Sequence, residues 1–126
     1  MKRHATRRAV ALTGVLATIL TTTLPPQSAF AEGGARRDVV RQEGQHVQDA
    51  IKHATEAVGH GKQGSAEKLV THAEVSLQQA ARGGKDPHLD EAITHLKEAV
   101  EHGKAGHADV ATKHAETAVT HLSQTK

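Results

Sequence analysis

The chain has 126 residues, enough for one domain, with 16 Lys and Arg, 14 Asp and Glu and a formal net charge of +2. It contains no Cys, Trp or Tyr, which excludes disulfide bonds and the aromatic platforms that stack on single-stranded nucleic acid. Its most unusual feature is the presence of 11 histidines.

Residues 1–31 have the pattern of a secretory signal peptide. Basic residues open the chain, residues 9–20 form an apolar run without a charge, and Ala29-Phe30-Ala31 fits a cleavage site. We therefore expect cleavage after Ala31, by the general or the twin-arginine export route, and a periplasmic mature protein. A membrane anchor is the alternative, but the apolar run is shorter than the about 20 residues that a membrane span needs.

Cleavage would reverse the charge balance of the chain. Four of the 16 basic residues lie within residues 1–31 and all 14 acidic residues follow them, so the mature chain has 12 against 14 and a net charge of −2. We expect no nucleic-acid partner, no membrane contact after cleavage, and a monomer, with weak oligomerisation as the alternative. Residues 32–37 hold two Gly and two Arg and predict a flexible tail ahead of a domain at residues 38–126.

Four helices are predicted, at about 38–60, 65–82, 87–102 and 107–123. In each segment apolar residues recur three and four positions apart, which is the spacing of one helical face. Most residues of this face are Ala, so the core is expected to be thin. Because the connections are short, consecutive helices should be antiparallel, and the sequence predicts an all-α, up-down-up-down four-helix bundle.

Helix-ending and helix-starting residues support these boundaries. Gly-containing segments at 61–64 and 103–106 end the first and third helices. Ser65 and Asp86 are suitable N-cap residues, and Pro87 suits the first position of the third helix.

The two halves of the predicted bundle are copies of one unit. Residues 46–82 and 88–124 align without gaps at a spacing of 42 residues, with 15 identities in 37 positions. A duplicated helical hairpin is the simplest explanation.

The histidines are spaced regularly, and ten of the 11 follow residue 31. Most are seven residues apart, as in His46, His53 and His60, so they follow one edge of their helix. Seven residues correspond to about 10 Å along a helix, too far for two side chains to share one metal ion. Each histidine therefore needs closer companions.

The first kind of companion is an acidic residue on the same helix. The motif acid-Ala-[Ile/Val]-x-His occurs four times and places an acid four residues before His53, His60, His95 and His102. An acid also follows three residues after several histidines, as in His53 and Glu56.

The second kind of companion is a histidine on the antiparallel neighbour. In an antiparallel helical hairpin, residues that face each other have residue numbers with a constant sum. By this rule His102 faces His107, His95 faces His114 and His88 faces His121 in the second hairpin, and His53 faces His72 in the first. This pairing requires that the histidine edges meet within each hairpin. If the opposite edges meet there, the histidines face other helices instead, and the sequence leaves both arrangements open.

Clustered imidazole and carboxylate groups without thiolates suit Cu(II), Ni(II) and Zn(II), and the usual affinity order favours Cu(II). Metal binding needs neutral imidazole, so the affinity should fall below about pH 6. The predicted metal ligands are ten histidines and four acids: His46, His53, His60, His72, His88, His95, His102, His107, His114, His121, Asp49, Glu56, Glu91 and Glu98.

We expect a metal-binding protein that is not an enzyme, and the sequence offers two alternatives to this function. A di-metal bundle oxidase would carry Glu-x-x-His ligands inside the bundle, whereas here the order is His-x-x-acid and the ligands lie beside an apolar seam. A pH-responsive interaction module would use protonation of the histidines, and its response should survive a chelator.

The segment DEAITHLKEAVEHGKAGHADVATKHAETAVTHL at residues 90–122, with a weaker copy at 49–74, resembles the small metal-binding protein family of nitrifying bacteria. The resemblance covers about residues 40–126 and implies a periplasmic four-helix bundle that binds several divalent metals, copper prominent among them. The implied role is metal buffering, scavenging or tolerance. The chain departs from the richer pattern at Ser65 and Gln79, where the second unit has His107 and His121.

Overall fold

The computed structural model describes residues 28–126, which form four α-helices and no strand. The helices are α1 (Ser28–Lys62), α2 (Ala66–Ala80), α3 (Pro87–Lys104) and α4 (Ala108–Gln124). The prediction of an all-α protein with four helices is confirmed. None of the described helices combines the length and the apolar character that crossing a membrane requires. The predicted signal peptide lies outside the described residues except for residues 28–31, which begin α1.

Helix α1 begins ten residues before its predicted start at residue 38. The structure continues it through residues 32–37, where the sequence predicts a flexible tail. Ala and Arg favour helix there, and each Gly opposes it by only about 1 kcal/mol, so a helix already fixed by packing extends through them. Side chains 33–42 are all exposed, so nothing packs on this part of α1.

The predicted helix ends have clear physical causes. The Asp86 carboxylate accepts a hydrogen bond of 2.8 Å from the backbone N–H of His88, which confirms its role as the N-cap of α3. Ser65 precedes α2, but its side chain makes no capping hydrogen bond. At the end of α3, the backbone N–H of His107 donates to the carbonyl of His102, and Gly106 has the positive φ of 81° that such an ending favours.

Each helix packs mainly on two others. Helix α1 contacts α2 and α4, and α3 contacts the same two helices. Below, α1 and α2 are called the first pair, and α3 and α4 the second pair. In the first pair the buried hydroxyl of Ser76 donates to the carbonyl of Ala50 at 2.8 Å, which helps to fix how the two helices are aligned.

The core is thin because ten of its 16 buried hydrophobic residues are Ala. Only four large side chains are almost completely buried in it, Leu69, Leu89, Leu96 and Leu122. Small side chains contribute little buried apolar area, but they let the helices lie close together. The helices are therefore held by many small contacts rather than by a few large ones.

Two equivalent glycines mark close helix contacts between the pairs. A Cβ on Gly61 would overlap the Thr112 side chain and lie 2.6 Å from Leu69, and a Cβ on Gly103 would lie 2.5 Å from Val70. Nearby, the exposed ion pairs Lys62–Glu116 and Lys104–Glu74, at 2.8 and 2.7 Å, also join the two pairs. Exposed ion pairs contribute little to stability, so the close packing at the two glycines should contribute more to the contact between the pairs.

Candidate metal centre

The histidine edges meet within each pair, which decides between the two arrangements that the sequence leaves open. In the second pair the rings of His88 and His121 have centroids 6.1 Å apart, and those of His95 and His114 are 5.6 Å apart. In the first pair the rings of His53 and His72 are 5.9 Å apart. Imidazoles from two helices therefore face one another along each seam.

Three groups of metal-ligand type form along these seams, each with two histidines and one glutamate. In every group, two imidazole nitrogens and one carboxylate oxygen lie within 4.8 Å of one another. Trio one is His53, Glu56 and His72; trio two is His88, Glu91 and His121; trio three is His95, Glu98 and His114.

Trio three has the most compact geometry. Glu98 Oε2 lies 2.9 Å from His95 Nδ1 and 2.9 Å from His114 Nδ1, and the two nitrogens are 3.4 Å apart. Ligand atoms that are each about 2.0–2.2 Å from one ion lie roughly 3 Å from one another. The three atoms are thus already spaced as ligands of a single divalent ion.

The other two trios vary this arrangement. In trio one, Glu56 Oε2 lies 3.0 Å from both His53 Nδ1 and His72 Nδ1. In trio two, Glu91 Oε2 is 2.8 Å from His121 Nδ1 but 3.9 Å from His88 Nδ1, and the Glu91 side chain is 58% exposed. Trio two is therefore the loosest of the three and needs the largest adjustment to surround an ion.

The local sequence explains why each glutamate lies at the centre of its trio. A glutamate three residues after a histidine is on the same side of the helix, one turn further along. Its carboxylate reaches both that histidine and the histidine of the neighbouring helix. The predicted pairs with an acid four residues before a histidine do not form ion pairs in the described part of the chain.

Glutamate contacts across the seam were missed by the sequence analysis. Glu56, Glu91 and Glu98 each contact a histidine of the other helix in their pair. The His-x-x-acid spacing was the available signal, since an acid placed between two facing histidines can bind both.

Five predicted ligands lie outside the trios. His46 Nδ1 is hydrogen-bonded to Gln79 Oε1 at 2.8 Å, and the exposed Asp49 forms no ion pair among the described residues. His60 stacks on His72, with ring centroids 5.0 Å apart. The remaining two, His102 and His107, face each other with ring centroids 6.1 Å apart and belong to no ligand group with an acid among the described residues.

Some ring nitrogens at the seams have no hydrogen-bond partner. Within the described residues, the buried Nδ1 atoms of His60, His88 and His121 make no hydrogen bond. His121 Nδ1 is close to the Glu91 carboxylate but lacks the angle of a hydrogen bond. A buried polar atom without a partner is unfavourable, and a bound cation would satisfy it. Two of these three atoms belong to trio two.

The second pair contains a continuous column of six imidazole rings. Its order along the seam is His88, His121, His95, His114, His102 and His107, with successive centroids 5.3 to 6.1 Å apart. The first pair has a shorter column of three rings, His53, His72 and His60. The column joins trio two to trio three through the His95–His121 contact.

One acidic group near this seam has a shifted pKa. The backbone N–H of Lys126, 3.3 Å from Asp86 Oδ2, is the main reason that the pKa of the Asp86 carboxyl lies below its ordinary value of 3.8. Desolvation opposes this shift, and the backbone N–H of His88 adds to it. The same carboxylate therefore caps the N-terminus of α3 and holds the backbone of Lys126 beside trio two.

Comparison with known proteins agrees with this geometry. A family model described as small metal-binding protein matches residues 9–125, which confirms the resemblance noted from the sequence. No curated protein matches the chain.

Proposed function

The chain belongs to the small metal-binding protein family, and from this premise we propose that it binds several divalent transition-metal ions, with Cu(II) preferred over Ni(II) and Zn(II). The observation that carries the proposal is trio three, where two imidazole nitrogens and a carboxylate oxygen converge from two helices within 3.4 Å of one another. Trios one and two repeat this ligand set, so the proposed capacity is at least three ions.

The donor atoms support the proposed order of metals. Imidazole and carboxylate bind Cu(II), Ni(II) and Zn(II), and at a given site of this type the usual affinity order places Cu(II) highest. The chain has no Cys, so it offers none of the thiolates that Cu(I) prefers. Each trio supplies three ligands, and water would complete the coordination.

Exchange of ions with solvent follows from the exposure of the sites. The histidine side chains of the trios are 23 to 44% exposed, so an ion can enter and leave without unfolding of the protein. Open, similar sites suit buffering, scavenging or tolerance of metal better than catalysis. We propose that the chain is not an enzyme and that it acts in the periplasm after cleavage of residues 1–31.

We propose that the four helices form an up-down-up-down bundle of two repeated hairpins. This arrangement is supported by the contacts between helices. The start of α3 meets the end of α4, as in His88 with His121, and the end of α3 meets the start of α4, as in His102 with His107. In this arrangement the two metal-binding seams lie on different sides of the bundle, one in each hairpin.

Binding should release a proton from each imidazole that is charged before the ion arrives. In a neutral His53, the 3.0 Å hydrogen bond to Glu56 Oε2 needs the ring proton on Nδ1, and an ion bound to Nδ1 requires that proton to be on Nε2 instead. Imidazole has an ordinary pKa of about 6.5, so protons compete more strongly with metal as the pH falls. The metal affinity is therefore expected to decrease below about pH 6.

Calorimetric titration with Cu(II), Ni(II) and Zn(II) at pH 7.4 tests the proposal. We expect several Cu(II) ions per chain, and one fewer when trio three is removed by His95→Asn and His114→Asn. Glu101→Gln is a matched control, because this exposed glutamate of α3 lies outside every trio and should not change the number of ions. If Cu(II) binds no more tightly than it binds free imidazole, the proposal is wrong.

The imidazole columns favour a second candidate function, a pH-responsive interaction module. Protonation of rings stacked 5.3 to 6.1 Å apart would place like charges side by side and loosen the seam of the second pair. A change in helix content between pH 7 and pH 5 that is the same with and without a chelator would favour this function. A change that a chelator abolishes would favour metal binding.

A further inference from the structure

We propose that trio two and trio three take up their ions as a coupled unit, whereas trio one takes up its ion independently. The inference rests on the proposed metal binding and adds how the sites influence one another. It predicts that an ion in trio three raises the affinity of trio two, and, because coupling is reciprocal, that an ion in trio two raises the affinity of trio three by the same factor.

The first reason is a direct contact between ligands of the two trios. The ring of His95, from trio three, stacks on the ring of His121, from trio two, with centroids 5.6 Å apart and planes inclined by 10°. An ion that fixes the His95 ring therefore restricts the His121 ring as well. Since ordering of side chains opposes binding, the second ion then meets a ligand that is already partly ordered.

The second reason is that both trios take ligands from the same two helices. Glu91 and Glu98 belong to α3, while the histidines His114 and His121 belong to α4. An ion in either trio joins α3 to α4 at a seam whose neighbouring core is mostly Ala. Once one ion fixes the distance between these helices, binding of the second ion costs the other trio less conformational entropy.

Trio two is the site on which this effect should be largest. Its Glu91 Oε2 is 3.9 Å from His88 Nδ1, and the Nδ1 atoms of His88 and His121 lack hydrogen bonds. Its ligand atoms are thus the furthest from the spacing that one ion requires. Trio three, with distances of 2.9 Å from Glu98 to both histidines, is the natural site for the first ion.

Repulsion between the two ions opposes the coupling but is weak. Equivalent ligands of the trios are seven residues apart, so the ions would be about 10 Å apart along the helices. Each ion is partly neutralised by its glutamate, and water reaches both sites. Repulsion between two net unit charges at this distance in water lowers the second affinity by a factor of about two.

Trio one has no neighbour with which it could couple. The position equivalent to His121 is Gln79, which is hydrogen-bonded to His46, and the position equivalent to His107 is Ser65. The first pair therefore provides a single, isolated trio in the same molecule. It is the internal standard for a site that binds alone.

Competition titration of Cu(II) against a chelator of known affinity tests the coupling on two full-length variants. The two-trio variant carries His53→Asn and His72→Asn, which remove trio one. The one-trio variant carries in addition His88→Asn and Glu91→Gln, which disable trio two but leave the His95–His121 contact in place. Circular dichroism of each variant without metal checks that the helices are intact.

We expect the two-trio variant to reach half-saturation at a free Cu(II) concentration about fivefold lower than the one-trio variant, with a Hill coefficient above one. A reciprocal variant, in which Glu98→Gln and His114→Asn disable trio three, should weaken trio two by a comparable factor. It keeps the test decisive if the first variant folds poorly. Adding Glu101→Gln to the two-trio variant is the matched control and should change neither quantity.

The outcomes separate the two proposals. Equal affinities per site in the two-trio and one-trio variants, with a Hill coefficient of one, would overturn the coupling while leaving metal binding intact. Absence of Cu(II) binding by the unchanged protein would overturn both. A Hill coefficient below one would also overturn the coupling if each trio binds Cu(II) as tightly alone, in the one-trio and reciprocal variants, as it does in the two-trio variant, because two independent sites of unequal affinity give that result.

Discussion

The two pairs share a fold but differ in the number of metal-ligand groups on their seams. The second pair has two trios and a column of six rings, whereas the first has one trio and three rings. The difference comes from a few surface positions, chiefly Ser65 and Gln79 in the first pair against His107 and His121 in the second. The buried residues of both pairs are mostly Ala and Leu.

In each pair the ligands and the packing residues occupy separate positions, although the core also differs between the pairs, with Val47, Ala54 and Ala80 in the first against Leu89, Leu96 and Leu122 in the second. Ligands lie at the edge of each seam, where the side chains are partly exposed, and the packing residues lie beneath them. A histidine replaced by Gln or Ser at the edge removes a ligand but leaves the buried contacts of its helix as they were. The stability of the metal-free protein and its metal capacity should therefore respond to different substitutions.

The largest expected effect is the creation of a new trio in the first pair. Gln79→His together with Asp49→Glu would give His46 the same partners that His88 has in trio two, since Asp49 aligns with Glu91 and Gln79 with His121. We expect calorimetry to show one additional Cu(II) ion per chain. Asp49→Glu alone should add none, and an unchanged capacity in the double variant would contradict the comparison.

The next effect concerns the equivalent glycines Gly61 and Gly103. A Cβ at Gly61 would overlap Thr112, so Gly61→Ala should lower the free energy of unfolding by about 1–3 kcal/mol. Gly103→Ala should cost less, because only the end of the Val70 side chain must move. Urea denaturation measures both.

Gly59→Ala is the control for these glycine variants. Nothing lies within 4 Å of a Cβ at Gly59, so alanine there should stabilise the helix by about 0.5–1 kcal/mol. If Gly61→Ala is as stabilising as this control, the close contact between α1 and α4 is not as tight as described.

A smaller effect is expected from Ser76→Ala. Its hydroxyl donates to the Ala50 carbonyl in the first pair, and the equivalent residue of the second pair is Ala118. Loss of this hydrogen bond should lower the free energy of unfolding by about 1 kcal/mol. Urea denaturation would show it, and a change in Cu(II) capacity would contradict the separation of stability from metal binding.

The smallest effect is a dependence of stability on pH at Asp86. Because folding lowers the pKa of this carboxyl, its ionised form stabilises the protein above the pKa of the unfolded chain, and this contribution disappears as the pH falls through the lower folded pKa. Asp86→Asn keeps an N-cap side chain but removes the charge. The variant should melt slightly below the unchanged protein at pH 6 and should approach it below about pH 4. A constant difference across this range would contradict the assignment.

Much of the fold could be predicted because its signals are local. The spacing of Ala and Leu indicates the helices, and Asp86, Pro87 and the glycine-containing turns indicate where they end. The start of α1 could not be predicted, because residues 32–37 have weak local preferences and follow the helix after them. A stretch without buried side chains leaves no periodic pattern to detect.

The candidate site was less predictable, because it depends on how two helices are rotated against each other. The antiparallel pairing of residue numbers predicted which histidines face each other, but only the structure shows that the histidine edges meet within each pair. The glutamate contacts across the seam and the stacking of His95 on His121 depend on side-chain directions, which residue spacing does not specify. Pairs such as Asp49 and His53 have helical spacing but do not meet.

Because each trio joins two helices, bound metal should affect how fast the protein is degraded. A chain with a mostly Ala core opens readily, and opened segments are where proteases cut. Ions held between α1 and α2 or between α3 and α4 would oppose that opening, so the loaded protein should be degraded more slowly than the empty one. The abundance of the protein would then rise with the supply of the metal it holds, without any change in its synthesis.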